Sequence, residues 1–275
     1  MPSSYRGRLA PSPTGFLHLG HARTFWTAQE RAVAAGGTLI LRNEDLDPSR
    51  SRAKFVTAML EDLRWFGIRW QEGPDCGGPF APYSQSERFD IYRAGFNALR
   101  SRGAIYPCYC SRQDVLRSLD APHAGDDEPL YPGTCRSNSR HRGHRPPSWR
   151  LRVPDGDVIE FKDGGFGKQH FVAGRDFGDF VIWRHDETPS YQLAVVLDDA
   201  AMKVSEVVRG ADLLLSTARQ LLLFRALGFD PPAFFHCPLM TNPAGVRLAK
   251  RDGANSLRTL RDQGFTPEAI RRTWL

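Results

Sequence analysis

Residues 11–21 read PSPTGFLHLGH and lie between a strand-like run and a helical pattern. The two prolines end the strand, because proline fixes φ and lacks the N–H that a strand ladder needs. Gly15 and Gly20 allow the backbone to approach a bulky anion, and the helix start offers N–H groups and a positive dipole end. The segment is therefore either a plain turn or a triphosphate-binding loop that contains His18 and His21.

The residues on both sides of this segment predict a parallel β-sheet. We predict a strand at 5–10, an amphipathic helix at 22–35 that ends before two glycines, and a strand at 38–41. A strand, a helix and a strand joined by short connections form a βαβ unit with parallel strands and a right-handed crossover. Ligands of such sheets bind beyond the carboxyl ends of the strands. The 11–21 segment and the acidic segment 42–47, RNEDLD, both lie at that edge.

The rest of the chain continues the alternation of helices and strands, which favours an α/β fold. Apolar faces at helical spacing are interpreted as core packing. The further predicted elements are helices at 54–66 and 86–102, hairpins at 158–180, strands at 180–183, 191–197 and 204–209, a helix at 213–227, and one short helix in the last twenty-odd residues.

The composition is that of an ordinary globular protein. The 275 residues are 41% hydrophobic and 25% charged, and 37 basic against 31 acidic residues give a net charge of +6. This mildly basic balance is compatible with nucleic acid or phosphorylated ligands without requiring them. No apolar run approaches the roughly 18 residues that span a bilayer, and residues 1–6 lead into no apolar signal-peptide core. We therefore expect a cytoplasmic protein that does not bind a membrane.

Three of the five cysteines, Cys108, Cys110 and Cys135, are close in sequence, and the odd total favours a metal site over a disulfide framework. Three thiolates suit a closed tetrahedral zinc site, which would stabilise a loop-rich segment with little core of its own. Chemistry alone would take the fourth ligand from a nearby histidine, and three thiols without a metal are the alternative. The candidate histidines are His123, His141 and His144.

A basic run at 136–152 contains six arginines, two histidines and no acidic residue. On charge alone, this run is equally well a solvated loop or a nucleic-acid contact. If it contacts RNA, binding should weaken as salt rises, because basic side chains displace counterions from phosphates.

The 11–21 segment resembles the ATP-binding signature of class I aminoacyl-tRNA synthetases, in the form used by the glutamyl and glutaminyl branch. His18-Leu19-Gly20-His21 stands in the place of His-Ile-Gly-His, and the stretch 8–24 is similar to glutamyl-tRNA synthetases. The resemblance implies that His18, Gly20 and His21 bind ATP with Mg²⁺ and that the two histidines act in catalysis.

Residues 247–253, RLAKRDG, stand where the same family carries its mobile Lys-Met-Ser-Lys-Ser loop. Lys250 aligns with the lysine that neutralises phosphate charge, which implies a role for Lys250 in ATP binding and catalysis. The match departs from the family twice, because Arg247 replaces the first lysine and Ala249 replaces the serine.

The resemblance also implies a pocket for L-glutamate. Glu44 would receive the α-ammonium group, and Arg209 would bind the side-chain carboxylate and reject glutamine, which would leave a buried arginine without its partner. From the residues alone, Glu44 could instead pair with Arg8 to tie two strand ends together, and Arg209 could cap a helix or join an inter-strand ion pair. The implied glutamate-binding residues are Arg8, Leu9, Ala10, Pro11, Ser12, Glu44, Tyr191 and Arg209.

The cysteines resemble a Cys-x-Cys…Tyr-x3-Cys pattern of the family, which implies that Tyr131 is the fourth ligand. Tyr131 would then join Cys108, Cys110 and Cys135 around one structural Zn²⁺. This pattern, together with a chain that ends at Leu275 without a helical anticodon-binding domain, resembles a shorter paralogue family, the glutamyl-queuosine tRNA(Asp) synthetases.

This resemblance covers residues 8–253 and implies a Rossmann-like parallel sheet with an inserted zinc-bearing subdomain and no anticodon-binding domain. It implies that the protein activates L-glutamate with ATP and attaches it to queuosine at the wobble position of tRNA(Asp), and we expect a monomer. The rival functions are charging of a tRNA 3′ end and non-catalytic RNA binding by a zinc-bearing relative. The expected parts are the halves of the catalytic domain at 1–103 and 181–236, the inserted subdomain at 104–180, and the lysine loop with a C-terminal helix at 237–275.

Overall fold

The structure is a computed structural model that describes residues 5–117, 130–137, 146–240 and 256–274. Within these ranges no helix is both long enough and apolar enough to cross a bilayer. Lys250 and the alternative metal ligands His123, His141 and His144 lie outside the described residues. The elements in chain order are β1 (Arg6–Leu9), α1 (Leu19–Ala34), β2 (Thr38–Leu41), α2 (Ala53–Trp65), α3 (Phe89–Ser101), β3 (Ile105–Cys108), α4 (Arg112–Arg117), β4 (Ser148–Leu151), β5 (Val158–Asp163), β6 (Gly167–Val172), β7 (Val181–Trp183), α5 (Tyr191–Ala201), β8 (Glu206–Gly210), α6 (Leu214–Leu227), β9 (Ala233–Cys237), α7 (Leu257–Asp262) and α8 (Pro267–Arg272).

The predicted βαβ unit is confirmed. β1 and β2 are parallel neighbours, with Leu9 opposite Leu41, and α1 connects them. The helix packs one face into the core, and its buried side chains recur every three to four residues. These side chains are Ala22, Phe25, Ala28 and Ala32.

Six strands form the main sheet, in the order β2-β1-β8-β9-β5-β6. The pairs β1–β8, β8–β9 and β9–β5 are parallel, and β5 and β6 form an antiparallel hairpin at one edge. The helix between β8 and β9 ends at Gly228 as predicted, where a φ of 77° favours glycine. This order brings the carboxyl ends of β2, β1 and β8 next to one another.

Residues 191–197 form the start of helix α5, and the predicted strand there is wrong. The Ser190 side chain caps this helix by accepting a hydrogen bond from the Leu193 backbone N–H. All residues from Leu193 to Asp199 are buried, so this part of the helix has no solvent-exposed face. A helix that is buried on all sides has the same apolar run as a buried strand, and periodicity cannot separate the two.

The C-terminal segment contains two short helices, α7 and α8, and the prediction of a single helix is wrong. Each helix starts at a hydroxyl cap, Ser256 or Thr266. Gly264, with a φ of 85°, turns the chain between them. Two capping signals so close together favour two short helices over a continuous one.

A second, three-stranded sheet has the order β3-β4-β7 and is antiparallel. It packs against α3, because the Phe96 ring contacts Trp149 and Trp183 at centroid distances of 5.3 and 5.0 Å. The hairpin predicted within 158–180 is confirmed as β5 and β6, which join the main sheet. The division of the chain into domains stays a prediction.

A buried charge cluster ties α5 to its neighbours. Asp198 is fully buried and accepts hydrogen bonds from Arg88 Nε at 2.6 Å, Gln85 at 2.8 Å and the Tyr92 hydroxyl at 2.9 Å. The next residue, Asp199, accepts a hydrogen bond from Arg42 Nη1 at 2.7 Å. A buried charge is tolerated only when it is paired, so these carboxylates hold the helix to the sheet and to α3.

We expect Asp198→Asn to lower the free energy of unfolding by about 3 to 5 kcal/mol, because it removes one charge from a buried pair. Urea unfolding followed by circular dichroism measures this change. The exposed Asp230 provides the matched control, and Asp230→Asn should change the unfolding free energy by less than about 0.5 kcal/mol. Equal effects of the two substitutions would contradict a structural role for the buried cluster.

Candidate active site

A pocket of about 670 Å³ lies at the carboxyl ends of β1, β2 and β8. It brings together most of the residues that the sequence nominated, from four separate parts of the chain. Leu9 does not line it, because its side chain is fully buried in the core. The nominated residues that line the pocket are Arg8, Ala10, Pro11, Ser12, His18, Gly20, His21, Glu44, Tyr191 and Arg209.

The two histidines shape the start of α1. His18 is the N-cap residue, and its Nδ1 accepts a hydrogen bond from the Gly20 N–H at 3.1 Å. The His18 N–H donates to His21 Nδ1 at 3.3 Å, and the two rings lie 3.8 Å apart. Since each Nδ1 accepts a hydrogen bond, the proton of each neutral ring is on Nε2. A Cβ at Gly20 would lie 2.9 Å from His18 Cε1, so a larger residue there would displace the His18 ring.

Arg42 and Asp199 hold the polar ends of β1 and β2 in place. Arg42 is fully buried and donates to Glu44 Oε1 at 3.0 Å and to Asp199 at 2.7 Å. Asp199 also lies 3.7 Å from Arg8 Nε. Glu44 therefore has Arg42 as its ion-pair partner, and the alternative in which it pairs with Arg8 does not describe this site.

Burial dominates the electrostatics of this group. It raises the pKa of Glu44 above its ordinary value, although the Arg42 and Arg8 guanidiniums oppose the rise. It lowers the pKa of Arg8, which the cations of Arg42 and Arg209 lower further while Asp199 raises it. The pocket wall thus carries the Arg8 and Arg209 guanidiniums beside the Glu44 and Asp212 carboxylates in a poorly solvated space, which suits a ligand with both positive and negative groups.

Arg209 is buried at the end of β8, with 4% of its surface exposed. Its Nε lies 3.1 Å from His236 Nε2, its Nη2 donates to Thr217 Oγ1 at 2.7 Å, and its Nη1 lies 3.5 Å from the Tyr191 hydroxyl. Among the residues that the structure describes, no carboxylate lies within 4 Å of this guanidinium. The alternatives of an ion pair and a helix cap are therefore not seen in this part of the chain.

The three clustered cysteines come together at the end of β3. Their Sγ atoms lie within 4.8 Å of one another, and Cys110 and Cys135 are 3.6 Å apart. The Tyr131 hydroxyl lies 3.4 Å from Cys108 Sγ and 3.6 Å from Cys110 Sγ, and it accepts a hydrogen bond from the Cys135 N–H. A tetrahedral ion with metal–sulfur bonds of about 2.3 Å separates its sulfurs by about 3.8 Å, so these four groups fit one metal.

Arg150 supports this cluster from behind. Its Nε donates to Cys108 Sγ at 3.3 Å, and its guanidinium lies 3.9 Å from the centre of the Tyr131 ring. Burial raises the pKa of Cys110 to about 11. Burial also acts to raise the pKa of Cys135, but hydrogen bonds from the Tyr109 backbone and Tyr131 lower it below its ordinary value. A metal ion would have to displace the remaining thiol protons.

The described arginines of the basic run at 136–152 all have partners within the protein. Arg150 serves the cysteine cluster, and Arg136 pairs with Asp155 at 2.7 Å. Arg152 lies 4.7 Å from the centre of the Tyr106 ring. Burial removes Arg150 from contact with RNA, whereas Arg136 is half-buried and Arg152 is exposed. The other three, Arg140, Arg142 and Arg145, lie outside the described residues.

Sequence reasoning missed part of the pocket wall and the groups behind it. His236, Arg42 and Asp199 had no assigned role. The only available signal was position, since residues just after a parallel strand tend to face the ligand. The unforeseen lining residues that follow β8 or β9 are Asp212, Leu213, Pro238, Leu239 and Met240.

Comparisons with known proteins show the family of this chain. The family model of class I tRNA synthetases (E and Q), catalytic domain, matches residues 4–274. The chain is 49% identical to a Glutamyl-Q tRNA(Asp) synthetase of Nitratidesulfovibrio vulgaris, over 94% of this chain and 82% of that protein. It is also 49% identical to one from Symbiobacterium thermophilum, over 96% of this chain and 83% of the relative.

A solved structure of a glutamate tRNA ligase from Elizabethkingia meningosepticum, in complex with its amino acid, superposes with a TM-score of 0.80. The two sequences are 32% identical, and the match covers 91% of this chain and 53% of the ligase chain. The present chain thus spans about half the length of that solved ligase.

We expect the cysteine cluster to bind about one equivalent of a thiolate-preferring divalent metal. The purified protein is stripped with a chelator, reloaded with Zn²⁺ or Co²⁺, desalted and analysed for metal. Cys135→Ala should bind well below one equivalent, because it loses one of four donors. Cys237 is buried outside the cluster, so Cys237→Ala should retain the metal. Full metal loading of Cys135→Ala would rule the site out.

Proposed function

This chain belongs to the class I tRNA synthetases for glutamate and glutamine, a family of ligases. We propose that it joins L-glutamate to the AMP part of ATP as glutamyl-adenylate, with release of pyrophosphate, and transfers the glutamyl group to queuosine of tRNA(Asp). The observation that carries the proposal is the buried guanidinium of Arg209, which faces the pocket without a carboxylate among the described residues. Leaving such a cation unpaired is costly, so the pocket favours a ligand that brings a carboxylate.

The charges of the pocket complement those of glutamate. Two buried guanidiniums, of Arg8 and Arg209, match two carboxylates, and the Glu44 carboxylate matches the α-ammonium group. Arg209 takes the side-chain carboxylate, and Tyr191 lies beside it. A bidentate contact between a guanidinium and a carboxylate adds geometric specificity to the charge attraction. Ala10, Pro11 and Ser12 line the same wall, and Leu9 is the last residue of β1 before them.

The start of α1 is the proposed phosphate site. The helix dipole, its first N–H groups and the Nε2–H groups of His18 and His21 favour an anion there. Both described ends of the segment that carries Lys250 lie at this pocket, since Met240 lines it and Ser256 pairs with His18. This supports the proposal that Lys250 also acts on the phosphates. Mg²⁺ bound to ATP would neutralise further phosphate charge.

The first reaction follows from this arrangement. An α-carboxylate oxygen of glutamate attacks the α-phosphorus of ATP, a new C–O–P linkage forms, and the bond to the β-phosphate breaks to release pyrophosphate. The carboxylate is already ionised near neutral pH, so no general base is needed. In the second step a queuosine hydroxyl attacks the acyl carbon, loses its proton, and AMP leaves.

Zn²⁺ is the proposed occupant of the cysteine cluster, held by Cys108, Cys110, Tyr131 and Cys135. Its role is structural, because four protein donors leave no open position for a substrate. The ion would link β3 to the segment at 131–135, two parts of the chain that share a small core.

Queuosine as the acceptor is supported by the names of the two relatives that are 49% identical. Charging of a tRNA 3′ end is the rival, and glutamate–tRNA ligases are also similar to this chain, at 45% identity for one from Acidithiobacillus ferrooxidans. The pocket itself serves adenylate formation in either case, so the acceptor has to be tested with RNA.

We expect ATP–pyrophosphate exchange with glutamate and at least about 10³-fold lower kcat/KM with glutamine, which cannot neutralise Arg209. Arg209→Gln should lower kcat/KM for glutamate by about 10²-fold or more. Arg225 is largely exposed and lies 3.4 Å from Asp157, so Arg225→Gln serves as the matched control and should exchange normally. A wild-type protein with no exchange for any amino acid would instead be the non-catalytic RNA-binding relative.

The acceptor is tested with radiolabelled glutamate and tRNA(Asp) that lacks its 3′-terminal adenosine. We expect labelling of truncated tRNA that contains queuosine, and none of the same tRNA with guanosine at the wobble position. Labelling that requires the intact 3′ end and ignores queuosine would establish 3′-end charging in its place.

A further inference from the structure

A chain of three buried side chains runs from the β5–β6 hairpin to the pocket. His236 Nδ1 lies 2.6 Å from Asp163 Oδ2, and His236 Nε2 lies 3.1 Å from Arg209 Nε. Neither His236 nor Asp163 lines the pocket, and both are essentially inaccessible to solvent. From this geometry we infer that His236, backed by Asp163, is a positioning residue that fixes the guanidinium of Arg209 for the side-chain carboxylate of glutamate. The inference rests on the proposed function.

The protonation of His236 follows from its neighbours. Arginine can only donate hydrogen bonds, so Nε2 of His236 must be the acceptor, and the ring proton is on Nδ1, where it is donated to Asp163. Burial lowers the pKa of His236, and the nearby Arg209 cation lowers it further, although Asp163 opposes both. Asp163 remains ionised because hydrogen bonds from His236 and from the Gly165 and Phe166 N–H groups lower its pKa against the effect of burial.

The contacts of Arg209 show which edge is kept for a ligand. His236 Nε2 and Thr217 Oγ1 lie 3.2 Å apart, so they occupy the same side edge of the planar guanidinium, formed by Nε and Nη2. The end edge, formed by Nη1 and Nη2, carries only the 3.5 Å contact to Tyr191 among the described residues. A carboxylate that binds two parallel N–H donors needs such an end edge.

The same arrangement explains how the buried cation is tolerated. The Asp163 carboxylate lies one imidazole away from Arg209, so it offsets part of the charge without occupying the edge that the ligand needs. The sheet places the three residues together, because Arg209 is opposite His236 in the β8–β9 pair and Asp163 is opposite Phe234 in the β5–β9 pair. The hairpin thus contributes to specificity through β9 rather than through a contact with the substrate.

The test is ATP–pyrophosphate exchange by His236→Leu, which removes the acceptor and keeps an apolar side chain. Losing a hydrogen bond to a charged donor should raise KM for glutamate about 10- to 100-fold, with kcat changed much less and KM for ATP unchanged. The ratio of kcat/KM for glutamate to kcat/KM for glutamine should fall, because the binding of the uncharged glutamine side chain does not depend on how the Arg209 cation is oriented. His236→Gln offers an acceptor and should recover part of the glutamate affinity.

The matched control is the exposed His170, and His170→Leu should have wild-type constants. If His236→Leu does not fold, Thr217→Val removes the other acceptor with little change of volume and should show the same selective rise in KM for glutamate. If the wild type catalyses exchange but KM for glutamate is unchanged in these variants, the inference alone is overturned. The same conclusion follows if affinity for ATP and for glutamate falls equally. A wild type without glutamate-dependent exchange would overturn the proposed function and the inference with it.

Discussion

Compensation of buried guanidiniums is the constraint on which the pocket depends. Strands β1, β2 and β8 carry Arg8, Arg42 and Arg209 to one edge of the sheet, and all three are at least nine-tenths buried. A buried cation needs a partner, because its desolvation costs several kcal/mol. Asp199 serves Arg42 and lies near Arg8, whereas Arg209 has no carboxylate partner among the described residues. The same group of buried charges therefore contributes to both fold stability and ligand recognition.

Helix α5 connects these two parts. In a strand, the adjacent residues Asp198 and Asp199 would point to opposite faces, whereas in a helix they lie about 100° apart. Asp198 can therefore face α3 and the Arg88 side chain while Asp199 faces the end of β2. The first residue of the same helix, Tyr191, reaches the pocket beside Arg209. The incorrect strand at 191–197 therefore obscured how the pocket is held together.

At the cysteine cluster, one arginine and one tyrosine also contribute to both packing and the proposed metal site. Arg150 belongs to a basic run that its charge alone leaves open as a solvated loop or a nucleic-acid contact. Its donors go to Cys108 Sγ and the Asp179 carbonyl oxygen, and its guanidinium stacks on Tyr131. The Tyr131 oxygen accepts a backbone N–H and lies close to two sulfurs, which favours it as a fourth donor on grounds of geometry as well as resemblance. The charge of this segment in the sequence thus does not show which of its arginines form contacts within the protein.

The sequence by itself determined the βαβ unit, the position of the 11–21 segment at the strand ends, the cysteine cluster and most residues of the pocket. The first three features depend on local periodicity, on turn chemistry and on residues close together in the chain, whereas the pocket residues followed from the resemblance to a known family. The tertiary structure alone decided that residues 191–201 are helical and that Asp163, His236 and Arg209 form a chain behind the pocket. The physical reason is that pairing between β5, β9 and β8 brings together residues 27 to 73 positions apart, and no local pattern encodes such long-range contacts.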